Sequence, residues 1–101
     1  MITVELREEK GSVMVQRERE PDEKSDNIIC ALLSVLIFAY ALSMKMQHSR
    51  IRILGNSKGC GIAPLHQFSV PEFYDYFRLM YIGIRFVTLI FPDNVKISYE
   101  E

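Results

Sequence analysis

The chain of 101 residues has no tryptophan and only two cysteines, five glycines and four prolines. Two thiols cannot staple a disulfide-dense secreted scaffold. So little glycine and proline excludes a collagen-like or low-complexity chain. An excess of one charge is missing as well: 12 Lys and Arg stand against 13 Asp and Glu, a net of −1. That argues against a nucleic-acid partner held by bulk positive charge. What is abundant is apolar: 49% of residues are hydrophobic, too many for a disordered chain. The length allows one domain at most.

Motifs of catalysis are also lacking. No Ser/His/Asp pattern, paired-carboxylate motif or cofactor fingerprint can be singled out, so catalytic and cofactor-binding residues are none and the chain reads as not an enzyme. His48 and His66 lie eighteen positions apart without ligands at zinc-like spacing, so no metal site is expected. The stretch Gly55–Gly61 does not match a phosphate-binding loop, because Cys60 stands where the lysine belongs. It reads as a flexible connector.

Charge is unevenly placed. Residues 1–44 hold five basic and eight acidic groups, all before Asn27; residues 45–72 hold four basic and one acidic; residues 73–101 hold three basic and four acidic. Between the acidic head and the basic middle, Ile28–Met44 carries no charge at all. Its polar members Ser34, Tyr40 and Ser43 do not share a helical face, so no wet stripe runs along it. From Ile28 to Met46 a helix would be about 28 Å long, against about 30 Å of bilayer hydrocarbon. A helix that is apolar all round needs cover on every side, and so short a chain has little to give.

The expectation is therefore a small α-helical membrane protein. Its parts are an acidic head over 1–27, a transmembrane helix over 28–46, a basic glycine-containing loop over 47–70, an interfacial or second membrane helix over 71–91 and a polar tail over 92–101. Lys45, Arg50, Arg52 and Lys58 follow the apolar block and form a basic cluster suited to anionic lipid heads. Their excess favours a head outside and a tail on the cytoplasmic side. Cys60, between two glycines and near Lys58, is a candidate for juxtamembrane acylation. Cys30 behaves as a small apolar residue within the block.

Ser69 and Glu72 have the spacing of a capping box, with Pro71 in the first turn, and start a helix over 71–85. Five of eleven aromatics lie between Phe73 and Tyr81, and Asp75, Arg78 and Arg85 share one side. Such a helix suits the headgroup boundary. These features imply a regulatory or accessory subunit that packs against a membrane protein partner or itself, with membrane lipid as a further partner. A pore-forming oligomer is a second membrane reading.

A different reading rests on alternation. Ile2–Leu6 and Ser12–Gln16 have strand composition and can close as a hairpin around Arg7–Gly11; Phe86–Phe91 and Val95–Tyr99 also read as strand, turn, strand. Joined to a central helix over 28–44, they give a small soluble α+β domain that acts as a protein-interaction module. No family is recognisable in these residues.

Overall fold

A computed structural model describes residues 2–17, 24–46, 50–56, 59–64 and 71–101. Strand β1 (Ile2–Arg7) and β2 (Ser12–Arg17) are followed by helix α1 (Lys24–Met46), β3 (Ile51–Asn56), β4 (Gly59–Pro64), α2 (Pro71–Ile90) and β5 (Val95–Glu100). The strands form one sheet in the order β3-β4-β2-β1-β5. Only β1 and β5 are parallel, with Ile2 opposite Val95 and Arg7 opposite Glu100; the other pairs are antiparallel.

The period-two pattern of the first strands decides which face is covered. Ile2, Val4 and Leu6 of β1, with Val13 and Val15 of β2, are all buried, as are Ile62 on β4 and Val95 on β5. Residues between them, such as Ser12 and Ser98, lie on the opposite and wetter face. Both helices lie on the first face. From α1, Ile29, Leu33, Ile37, Tyr40, Ala41 and Met44 enter the core at helical spacing; from α2, Phe73, Phe77, Met80, Ile84 and Val87 do the same.

This architecture corrects the membrane reading. The apolar block is a helix at nearly the expected limits, and Asn27–Met46 is long and apolar enough to cross a bilayer by length and composition. Yet one of its faces is a core face, laid on a sheet assembled from head, middle and tail. The fold is the α+β alternative, not a mainly helical membrane protein, and a membrane location loses its basis. The surface-helix reading of 71–85 is corrected likewise. Its aromatic face packs on the sheet, and Arg78 reaches Glu8 of the β1–β2 turn at 3.8 Å, not a headgroup. The helix runs on to Ile90, so Phe86–Ile90 is not a strand. Ser69, the expected cap, lies outside the described residues.

Two contacts fix how α1 lies. Gly11 closes the first hairpin with φ 64°, a conformation that costs other residues about 1–2 kcal/mol, and its N–H donates to the Glu8 carbonyl at 3.1 Å. The Tyr40 hydroxyl donates to the Gly11 carbonyl at 2.6 Å in a buried setting. Between the helices, a Cβ on Gly83 would stand 2.6 Å from a Leu36 methyl, so the glycine lets α2 lie close to α1.

Burial pushes the Tyr40 phenol well above its ordinary value near 10. The folded state therefore holds this proton more tightly than the unfolded state. The stabilisation is complete below pH 10 and is lost as pH rises above it. Tyr40→Phe is expected to cost about 1–3 kcal/mol at neutral pH, because the buried Gly11 carbonyl loses its donor. It should also flatten the alkaline decline. Urea unfolding at pH 7 and through pH 10–11 checks both; an unchanged alkaline slope in the variant would contradict the assignment.

Candidate functional site

Of the four basic residues that the sequence groups, three fall among the described residues. Lys45 is exposed in the last turn of α1, and Arg50 and Arg52 are exposed at the start of β3. Lys58 lies outside the described residues. Both histidines, His48 and His66, also lie outside the described residues. Among the described residues no group of His, Cys, Asp and Glu could hold a metal ion.

Gly55–Gly61 is not a free connector. Gly55 and Asn56 end β3, and Gly59, Cys60 and Gly61 begin β4, paired with both β3 and β2. Cys60 is exposed on this strand, not beside a membrane span. It pairs with Val15 on one side and Gly55 on the other. Directly opposed residues share a face, and Val15 is buried under the helices, so Cys60 belongs to the helix-bearing face. Ile53 stands on that face too, opposite buried Ile62, yet it is 71% exposed. The helices do not reach over this part of the sheet. An apolar ledge remains there, with Ile53, Gly55 and Cys60 on its floor.

Cys30 is brought to the same end. The Tyr40–Gly11 hydrogen bond sets the level of α1 against β2. Ten residues back along the helix are about 15 Å, and Gly11 to Val15 along the strand is about 14 Å. Cys30 is thus level with Val15, the partner of Cys60. On the helical wheel, Leu36 flanks the buried stripe of α1 on the side of Gly83 and α2, and Cys30 flanks it on the other. That other flank looks toward β3 and β4, which α1 touches. Cys30 is half-buried and packs against the core, forming the wall above the ledge. By this register both thiols lie toward the β3–β4 corner of the sheet, and among the described residues β3 is an edge strand.

A second polar locus lies across the sheet. Tyr81 and Tyr99 rings are 4.6 Å apart, Arg85 donates to the Tyr81 hydroxyl at 3.1 Å, and Arg7 pairs with Glu100 at 3.5 Å. Burial, then a hydrogen bond to Glu8 and the charges of Glu8 and Tyr81, push the Tyr99 phenol up to about 12, with Arg78 opposing. These are exposed ties between α2, β5 and the first turn.

The fold defines a class first: a two-layer α+β protein with a mixed five-stranded sheet, two helices on one face and a thiol-bearing ledge. Solved structures of the same architecture exist. The ribosomal processing protease Prp from S. aureus, in complex with a substrate peptide, superimposes with a TM-score of 0.80 at 18% identity, covering 99% of this chain and 100% of that one. The same protease with a covalently linked product peptide gives 0.77 at 19% identity, covering 99% and 100%. SMU.848 from Streptococcus mutans gives 0.73 at 17% identity, covering 98% and 91%. No family model and no curated protein sequence matches the chain.

At these identities the likeness concerns the fold. It nevertheless corrects further expectations. The expected membrane accessory subunit with a lipid partner rested on a mainly helical membrane fold, and the α+β fold shared with these structures takes that basis away. The solved neighbours include a protease bound to peptide, so absence of a motif is no ground for reading the chain as a non-enzyme.

Proposed function

We propose that the chain is a peptide-processing protein that takes an extended protein segment along the β3 edge and attacks it with the Cys30 thiol. The observation that carries this reading is the corner itself. Two thiols, an uncovered apolar ledge and an open strand edge meet on a fold shared with a protease crystallised with substrate and with covalently linked product. An extended peptide adds naturally to an open edge, because backbone N–H and C=O groups are waiting for partners. Ile53 and the ledge then offer an apolar seat for alternate side chains.

Cys30 is favoured over Cys60 as the nucleophile for a physical reason. It is half-buried at the wall, where an attacking sulfur is held in one orientation. Cys60, by contrast, is exposed on β4. The sulfur adds to the scissile carbonyl carbon, the C–N bond breaks, and the amine leaves with a proton. Water then cleaves the thioester and frees the carboxylate. Cys60 serves as a floor residue.

The test is peptide cleavage followed by mass spectrometry, using a library of extended peptides and the purified chain. Cys30→Ser should lower the rate by roughly 100-fold or more, whereas Cys60→Ser should stay within about threefold. Equal rates in Cys30→Ser and the parent would remove Cys30 from the role. A peptide that binds and is never cut would refute processing.

A further inference from the structure

Charge divides the molecule across the sheet. From Ile28 to Pro71 the chain carries no Asp or Glu. That stretch holds β3, β4 and most of α1, so these elements bring no carboxylate to the corner. Its described cations, Lys45, Arg50 and Arg52, are all exposed. Among the described residues none of the three has an acidic partner; the ion pairs are Arg7 with Glu100 and Arg78 with Glu8, on the β1–β5 side. The fold itself makes no use of this charge.

Register sets where the cations stand along the β3 edge. Gly55 pairs with Cys60 and is level with Cys30, whereas Ile51 begins the strand at the other end, opposite Pro64. Arg52 is about 10 Å from Gly55 along the strand, and Arg50, just before the strand, about 17 Å. Arg52 alternates with Ile53, so it lies on the open face of the sheet and not on the helix-bearing one. Helix α1 runs the same way. Lys45 is about 22 Å along the axis from Cys30, and at 100° per residue it falls roughly 60° beyond Cys30, on the flank that looks toward β3 and β4. One end of the edge is thus marked by the thiols, and the other is bracketed by Lys45 from the helix side and by the two arginines.

We propose that the segment taken up along the β3 edge is acidic, with carboxylate side chains three and five residues away from the residue that lies opposite Gly55. This rests on the peptide-processing reading for the place of the segment and adds its chemistry. A strand laid on β3 sends alternate side chains to opposite faces. Those across from Ile53 and Gly55 sit on the apolar ledge, and those across from Arg52 and Arg50 meet a cation. Opposite charges directly across a strand pair attract, and a guanidinium can hold a carboxylate with two parallel N–H donors. A nucleic acid fits less well. Ile53, Gly55 and Cys60 offer no ring for a base to stack on, and a net charge of −1 supplies no broad positive field.

The test is fluorescence anisotropy with short labelled peptides in which valine alternates with glutamate, glutamine or lysine. The full chain carries Cys30→Ser, so that no probe is cut. The glutamate probe should bind about tenfold more tightly than the glutamine probe, since each cross-strand ion pair is worth up to about fivefold, and the lysine probe should bind most weakly. The advantage should shrink as salt rises from about 0.01 to 0.15 M, over which the Debye length falls from about 30 to about 8 Å. Adding Arg50→Glu with Arg52→Glu should reverse the order in favour of lysine, whereas a merely structural defect would weaken all three probes alike. Arg50→Gln with Arg52→Gln should erase most of the glutamate advantage. Equal affinity for the glutamate and glutamine probes, or an unchanged order in the reversed variant, would overturn the acidic preference and leave the edge reading intact. Failure of all three probes to bind would overturn both. A glutamate preference in binding, with no cut by the chain that keeps Cys30, would remove processing and leave the acidic segment in place. Tighter binding of single-stranded oligouridylate than of the glutamate probe, lost in the reversed variant, would give the cations to nucleic acid and overturn the proposal.

Discussion

Phe77→Ala is expected to remove about 3–5 kcal/mol of stability. Phe77 is fully buried in the middle of α2, where that helix passes over the sheet. Its ring meets Tyr40 edge-on, with centroids 5.8 Å apart and planes at 72°, and lies 6.2 Å from Tyr99 of β5. One side chain thus joins α1, α2 and the parallel edge of the sheet. Truncation loses its transfer free energy and leaves a cavity that three separate elements cannot close at once. A domain of this length has about 5–15 kcal/mol in all, so the loss can reach the whole. Urea unfolding should show a lower midpoint with an unchanged slope. Phe77→Leu, which keeps most of the volume, should cost visibly less. If the two variants lose the same amount, the cavity account fails.

The same residue shows why the environment of the helices cannot be read from the sequence. Phe73, Phe77 and the tyrosines around them sit in an amphipathic pattern, and that pattern suits a bilayer surface and a sheet surface equally. Which one is present depends on strands contributed by Ile2–Arg7, Ser12–Arg17, Gly59–Pro64 and Val95–Glu100, and no window of sequence contains them together. Where the pattern is local, the reading holds closely: Ile2, Val4 and Leu6 alternate, and β1 is buried at those positions. The apolar run likewise marks the end of α1 at Met46, while the helix starts at Lys24, four residues before the run and inside the charged stretch. Phe86–Ile90 misleads by composition. Its residues favour strands, yet Ile84 and Val87 carry the helical period into the core and the Phe91 N–H bonds the Val87 carbonyl at 2.9 Å.

The ledge was legible only in part. Cys60 stands out by its glycine neighbours, but Cys30 looks like any small apolar residue in a run of them. Its position becomes informative only when the Tyr40–Gly11 contact sets α1 against the sheet and the β2–β4 register places Cys60 level with it. The apolar excess of α1 has a comparable history. A short chain indeed lacks the atoms to cover such a helix on all sides, and half of it is left bare.

Gly61→Val carries the other large effect, and it falls on residues that composition marks as a loose linker. Gly61 is buried between β2 and β3, opposite Met14 and Leu54. A Cβ there would lie 2.5 Å from the Val13 carbonyl oxygen and 3.0 Å from the Met14 Cα. At Gly59 it would overlap the Val15 carbonyl oxygen. Those neighbours are backbone, so no rotamer change relieves the clash; β4 must move off β2. Moving it uncovers Val13, Val15 and Ile62 and takes β3 along, since β3 is attached only through β4 in the sheet. Overpacking of this kind costs about 1–3 kcal/mol, occasionally more, and loss of the β2–β4 ladder adds to it, so about 3 kcal/mol or more is expected. Gly55 supplies the contrast. A Cβ there meets only the Gly59 carbonyl oxygen at 3.8 Å, ordinary contact, and Gly55→Ala should range from neutral to a gain of about 0.4–1 kcal/mol through a less flexible unfolded chain. Amide hydrogen exchange separates local from global damage. In Gly61→Val, protection should fall first across residues 51–64 and at Val13 and Val15, while β1 and β5 keep theirs. Uniform loss across the sheet would mean that the β3–β4 hairpin is not a separable unit, and unchanged protection would refute the close approach.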